Sequence, residues 1–161
     1  MKLKVNDLIP EANIYILKDG EPKEQRIKET LGNGKILLFG LPGAYTSTCS
    51  KLHLPGYVKN ADKIKAKGID KIFCISVNDP HVMNAWGEAN NVGNNIKMLA
   101  DPYLLFTKSI GAEIDRNSKG MGIRSSRYAM IVENLKVQNI QEEEETKSCG
   151  ISSAEGILDI I

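Results

Sequence analysis

The sequence predicts an α/β fold, a mixed central sheet with helices on both faces and a β-hairpin at its N-terminal end. Three observations carry this. Two short apolar runs, Lys35 to Gly40 and Lys71 to Val77, read as buried strands, and a charged stretch of helical length, Ser50 to Lys67, separates them as in a βαβ unit. A second helix opens at Asn78-Asp79-Pro80. Late in the chain, two strand-like runs flank Asn134 as a hairpin and a last helix follows.

The elements follow in chain order. Ala12 to Leu17 alternates like a strand, and Asp19-Gly20 is a hairpin turn. Ile27 to Leu31 suits one helical turn, and Gly32-Asn33-Gly34 breaks the chain before the first buried strand. Pro55 lies within the first two turns of the Ser50–Lys67 helix, where its missing N–H should kink or interrupt it; Gly68 suits the C-terminal stop. Asp79 is the expected N-cap of the next helix, with Pro80 at its first position and its end near Asn90. Ile96 to Leu99 is a short strand, and Asp101-Pro102 opens a helix over about Tyr103 to Ile110. Gly111 to Ser126 is expected to be mostly loop. Arg127 to Glu133 and Leu135 to Gln141 are the hairpin strands, and Glu142 to Glu145 reads as a solvated loop. Ser152 starts the last helix, with Glu155 at capping-box spacing.

Composition narrows the function classes. A chain of 161 residues suits one domain, spanning 1–161. With 42% apolar and 25% charged residues it reads as an ordinary globular protein, and a net charge of +1 favours neither nucleic acid nor an anionic membrane. No apolar run approaches the ~20 residues that span a bilayer. No secretory signal is visible at Met1 to Asp7, so the expected location is cytoplasmic. Three cysteines, Cys49, Cys74 and Cys149, form no C-x-x-C pair and no disulfide scaffold; redox or nucleophilic chemistry at one of them fits better.

Cys49 is the leading candidate. It follows a strand and a Pro-Gly turn and sits at a helix start, where unpaired N–H groups favour an anion, and a thiolate is the nucleophilic form of cysteine. Its neighbours Thr46, Ser47, Thr48 and Ser50 are all polar. His53, four residues on, shares a face with Cys49 if the helix is regular, which raises a Cys–His acyl-transfer alternative. A zinc site on Cys49 and His53 lacks two further ligands at sensible spacing. His81 reads as surface. Cys74, in Phe73-Cys74-Ile75, reads as a buried inert thiol, whereas Cys149 lies in a polar, exposed loop.

The run Pro42-Gly43-Ala44-Tyr45-Thr46-Ser47-Thr48-Cys49 resembles the peroxidatic motif of peroxiredoxins, Pro-x-x-x-Thr/Ser-x-x-Cys. With Lys51-Leu52-His53-Leu54-Pro55-Gly56 it is similar to the peroxiredoxin 5 (type II, alkyl hydroperoxide reductase-like) branch. The likeness continues through Ser76-Val77-Asn78-Asp79, Ala85-Trp86-Gly87, Ser125 to Met130 and Ser152-Ser153-Ala154-Glu155, nearly the whole chain. The resemblance implies a thioredoxin-like fold and a thiol-dependent peroxidase for hydrogen peroxide and alkyl hydroperoxides. Cys49 would become a sulfenic acid and then a disulfide, reduced by glutaredoxin/glutathione or thioredoxin. Thr46 would accept from a peroxide O–H while the thiolate attacks the other oxygen. The Pro42 ring would cover the site, and Arg127, rather than Arg124, would stabilise the thiolate and polarise the peroxide. No cofactor or metal is implied, and a homodimer is. Cys149 is either the resolving cysteine or an incidental surface thiol. A redox-sensing or holdase-type protein using Cys49 as a switch is the alternative function.

Overall fold

The computed structural model describes residues 1–161. Its elements are β1 (Asn13–Lys18), β2 (Glu21–Arg26), α1 (Ile27–Leu31), β3 (Lys35–Leu41), α2 (Leu54–Ala66), β4 (Lys71–Ser76), α3 (Pro80–Ala89) and β5 (Ile96–Ala100), followed by α4 (Leu105–Ser109), β6 (Glu113–Asp115), β7 (Ile123–Ser125), β8 (Tyr128–Glu133), β9 (Lys136–Glu142) and α5 (Ala154–Leu158). Seven strands form one mixed sheet in the order β2-β1-β5-β4-β3-β8-β9. β3 runs parallel to β4 and antiparallel to β8. It is covered on both faces, which is why its sequence is continuously apolar instead of alternating.

Alternate residues of β3 serve two cores. Leu37, Phe39 and Leu41 pack with Leu54, Tyr57 and Ile64 of α2, Trp86 of α3 and Ile157 of α5. Ile36 and Leu38 pack with Ile27 and Leu31 of α1 and Phe106 and Ile110 at α4. The register sets Gly40 opposite Tyr128. A Cβ on Gly40 would run into the Tyr128 ring, so glycine is required by that close approach.

Several expectations need correction. The Ser50–Lys67 helix begins instead as a wide π turn, Cys49–His53, in which Leu54 N–H bonds Cys49 O. Pro55 cannot donate to the carbonyl four residues back and its ring would clash there; the wider turn relieves both problems. α4 starts later than predicted because Leu104 is left-handed (φ 61°), while Asp101 still takes Phe106 N–H, Thr107 N–H and Thr107 Oγ1. The 111–126 segment is not mostly loop: β6 and β7 pair antiparallel around a short 3₁₀ turn at Asn117–Lys119. The cap of α5 is Ser153, whose Oγ accepts from Gly156 N–H, and Ser152 is buried one residue earlier. The acidic run is not simply solvated either. Glu142 takes the N-terminal amine and Ser126 Oγ, and Glu143 takes Gly150 N–H, Ser152 N–H and Ser152 Oγ.

Candidate active site

The C-terminal end of β3 delivers the Pro42–Cys49 loop. Tyr45 is left-handed (φ 60°), a costly conformation for an aromatic residue that the loop must hold in place. Asn78, just after β4, does so: its Oδ1 accepts from Ala44 N–H at 2.9 Å and from Ser76 Oγ at 2.7 Å. Thr46 Oγ1 donates to Gly43 O at 2.7 Å, so the hydroxyl proton is committed and its lone pairs are presented outward. Ser50 N–H bonds Thr46 O, opening the helical turn that carries Cys49.

Because Gly40 pairs with Tyr128, Arg127 emerges beside the start of this loop. Its side chain is 1% exposed and every nitrogen is used. Nη2 donates to Cys49 Sγ at 3.2 Å and to Thr146 O at 2.8 Å; Nε donates to Thr146 O at 3.1 Å. Nη1 lies 2.8 Å from His53 Nδ1. A guanidinium can only donate, so Nδ1 accepts. His53 Nε2 therefore carries the proton and donates to Ser152 O at 3.0 Å, a carbonyl that also takes Tyr57 OH at 2.7 Å. Burial, joined by the Arg127 charge, lowers the His53 pKa to about 3. His53 is thus a neutral ring whose free lone pair already holds Arg127. It cannot serve as the base of a Cys–His acyl-transfer enzyme, and that alternative falls.

Arg124 does not compete for this role. Its Nη1 donates to Val77 O and its Nε to Met121 O. The other cysteines separate as follows. Cys74 is fully buried, and burial pushes its thiol well up. Cys149 is half-buried instead of exposed, and burial raises it to about 11. Its segment touches the Cys49 turn, since Thr48 Oγ1 donates to Lys147 O at 3.4 Å. All three cysteines are free, and no group of His, Cys, Asp and Glu side chains is arranged to hold a metal ion.

A cleft of about 230 Å³ opens over this arrangement, lined by Pro42, Thr46, Ser47, Thr48, Arg116, Lys119, Met121, Arg127, Thr146 and Lys147. Cys49, 1% exposed, does not line it but is bonded to Arg127, which does. A larger depression of about 910 Å³ sits between β1, α3 and β5, but no cysteine or histidine lines it. The small cleft thus brings together an anion-stabilising guanidinium and a hydroxyl acceptor, and the guanidinium holds a sulfur.

The chain matches the Redoxin family over residues 4–158. It is 44% identical to rice (Oryza sativa subsp. japonica) Peroxiredoxin-2C over 156 residues, 96% of this chain and 95% of the relative. The chain belongs to the peroxiredoxin family, in its type II (peroxiredoxin 5) branch. It is also 40% identical to Peroxiredoxin-2D of Arabidopsis thaliana, over 97% of this chain and 96% of that one. Among solved structures, reduced Prx3 of Vibrio vulnificus in complex with H2O2 superposes with a TM-score of 0.91 at 43% identity, covering 98% of each chain. Peroxiredoxin 5 of Alvinella pompejana superposes with a TM-score of 0.84 at 33% identity, covering 97% and 96%. The sheet and its flanking helices are the thioredoxin-like fold of peroxiredoxins, and the protein is a thiol peroxidase.

Of the residues the sequence singles out, Pro42, Thr46 and Arg127 line the cleft, and Cys49 is bonded to Arg127. Sequence reasoning did not reach the groups that hold Arg127. Thr146 acts through a backbone carbonyl, which no side-chain pattern announces. The spacing of His53 from Cys49 raises a base and the family likeness implies a structural histidine near the site; it is the second, as an acceptor for Arg127. Asn78 and Ser152 lie in segments of the family likeness, but nothing local marks their roles as supports.

Proposed function

We propose that Cys49 is the peroxidatic residue and reduces hydrogen peroxide and alkyl hydroperoxides. Its thiolate takes the hydroxyl oxygen of R–O–OH. The S–O bond forms as the O–O bond breaks, leaving Cys49 as a sulfenic acid and releasing RO⁻, which takes a proton from solvent as water or alcohol. Thr46 Oγ1, its own proton bound to Gly43, accepts from the peroxide O–H; for an alkyl hydroperoxide that O–H belongs to the oxygen transferred. Arg127 holds the anionic sulfur before attack and offsets the charge that develops on the leaving oxygen. Pro42, buried and lining the cleft with Thr46, offers no N–H and limits water. The Arg127–Cys49 bond at 3.2 Å, with Arg127 and Thr46 lining one cleft, is the observation that carries this reading.

Cys149 then resolves the sulfenic acid, giving a Cys49–Cys149 disulfide and water. Contact between Thr48 and Lys147 supports that role, because each lies within two residues of one of the cysteines. Thiol exchange with thioredoxin or glutaredoxin/glutathione reopens the disulfide. Free thiols in this number suit a reducing compartment such as the cytoplasm. Two exposed apolar side chains near the Cys49 turn, Tyr45 and Leu52, give a homodimer a surface to use.

One equivalent of peroxide followed by intact-mass measurement tests the scheme. Wild type should lose two hydrogens, Cys149→Ser should gain one oxygen at Cys49, and Cys49→Ser should show no turnover. Turnover in Cys49→Ser would overturn the central assignment, while a gain of oxygen in wild type would remove Cys149 alone. Continuous turnover with a reducing system separates the enzyme from a redox switch.

A further inference from the structure

The peroxide cleft carries more positive charge than the chemistry above uses. Four of its ten lining residues are cations, Arg116, Lys119, Arg127 and Lys147, and none is acidic. Arg127 is committed to Cys49, His53 and Thr146. Lys147 pairs with Glu145 at 3.0 Å, an exposed pair of little weight. Arg116 and Lys119 have no carboxylate partner anywhere in the protein. Nearby Asp115 is turned to Asn117 N–H.

Arg116 is also placed with unusual constraint. Its Nη2 donates to Thr146 Oγ1 at 2.6 Å, and the same Thr146 holds Arg127 through its carbonyl. Its Nε is buried and has no acceptor, so the guanidinium is anchored at one end and unsatisfied at the other. A buried donor without a partner is costly, and a carboxylate is the group whose shape and charge suit an arginine fork. Lys119, exposed on the 3₁₀ turn, adds a second cation to the lining.

We propose that Arg116 and Lys119 form a carboxylate-recognition subsite at the mouth of the cleft, selecting small ligands that carry a carboxylate beside their reactive peroxide or thiol. The inference rests on the Cys49 chemistry proposed above. In the peroxide arm, Cys49–S⁻ and a carboxylate-bearing R–O–OH give Cys49–S–OH and RO⁻, with the carboxylate itself unchanged. In the thiol arm, the thiolate of the carboxylate-bearing thiol attacks Cys49 Sγ and forms a mixed disulfide; the sulfenic S–O bond breaks and hydroxide leaves, taking a proton from solvent as water, or the Cys49–Cys149 bond breaks and Cys149 leaves as its thiolate.

The test compares a short carboxylate-bearing tertiary hydroperoxide with its own methyl ester. Trp86 reports the reaction by stopped-flow fluorescence, because its Nε1 donates to Ser50 Oγ, the residue after Cys49. A parallel arm compares glutathione with an uncharged thiol of similar reactivity in the recycling step. The readout is the rate ratio of charged to uncharged ligand, which cancels changes in Cys49 itself. A built subsite gives a ratio of about tenfold at low salt that falls as ionic strength rises. The ratio should collapse toward one in Arg116→Gln/Lys119→Gln and fall in Lys119→Glu, an exposed change that spares the packing. Preference in the peroxide arm assigns the carboxylate to the substrate; preference confined to the thiol arm assigns it to the reductant. Equal rates in both arms, or a preference that survives the double substitution, overturns the subsite. Amide shifts at Arg116 and Lys119 on titrating the corresponding hydroxy acid, absent with its methyl ester, read the same site without chemistry. Hydrogen peroxide serves as the control, since its failure to oxidise Cys49 would overturn the peroxidase mechanism and leave the titration to judge the subsite.

Discussion

Acidification should destabilise this protein through His53 in a way that can be isolated. The buried ring is held neutral, with its pKa at about 3, by burial first and by the Arg127 charge second. In the unfolded chain a histidine titrates near 6.5. The folded value lies below the unfolded one, so as pH falls through 6.5 the unfolded state binds the proton and the folded state does not. Stability from this group is present above about pH 6.5, is lost as pH falls, and levels off below about 3. Between pH 7 and pH 4 the loss is about 3 kcal/mol, at ~1.4 kcal/mol per pH unit. That is a large share of the 5–15 kcal/mol typical of a domain. The assay is urea unfolding at several pH values for wild type and His53→Gln. Gln can accept from Arg127 and donate to Ser152 O, but it does not titrate, so carboxylate effects cancel in the difference. The wild-type curve should fall more steeply than the variant's by about 1 kcal/mol per unit from pH 6 to pH 4. Parallel curves would refute both the neutral ring and its tautomer.

Three further outcomes follow from the geometry. Arg127→Lys should lower the second-order rate with hydrogen peroxide by roughly 10²–10³, because one ammonium cannot reach Cys49 Sγ, His53 Nδ1 and Thr146 O together; a rate within threefold of wild type would remove Arg127 from the mechanism. Disulfide formation by Cys149, whose thiol is raised to about 11, should speed up about tenfold per pH unit from 7 to 9; a plateau near pH 8.5 would show that the loop leaves its folded position before attack. Gly40→Ala should destabilise the fold by about 1–3 kcal/mol in urea unfolding, since its Cβ meets the buried Tyr128 ring; a neutral change would mean that β3 and β8 can separate freely.

The parts of the fold legible in the sequence are those in which one local signal decides the conformation. β3 and β4 are buried on both faces and show it as unbroken apolar runs, and α3 has both its aspartate cap and its proline where a helix begins. β6 and β7 escaped because three-residue strands are too short to show alternation, and their pairing is settled across a turn. α4 began late because Leu104 adopts a left-handed backbone that its side chain does not advertise. The site divides the same way. Pro42, Thr46 and Cys49 fall in one short run and are read together from the motif that the run shares with the family. Arg127 was reached only through the family likeness, because its meeting with Cys49 depends on the β3–β8 register. The carbonyls of Thr146 and Ser152 could not be read at all, since every residue has one and only the fold chooses which are used.

Those two carbonyls also show why the segment between β9 and α5 matters to both halves of the proposed cycle. Thr146 O takes two bonds from Arg127, and Ser152 O orients His53, which takes a third. Peroxide attack needs this scaffold rigid, because a guanidinium that drifts from Cys49 no longer offsets the charge. Glu143 supplies the rigidity: burial alone would raise its pKa, but bonds from Ser152 and Gly150 outweigh burial and keep the carboxylate charged at the base of the loop. Cys149 lies between those anchors, three residues from Thr146 and one from Gly150. A disulfide with Cys49 requires α-carbons within about 7 Å, and Thr48, the residue before Cys49, already donates through Oγ1 to Lys147 O at 3.4 Å in the same segment. The segment that braces Arg127 thus also carries the thiol proposed to resolve the oxidised Cys49, so a substitution that loosens it, such as Glu143→Gln, should slow both half-reactions together.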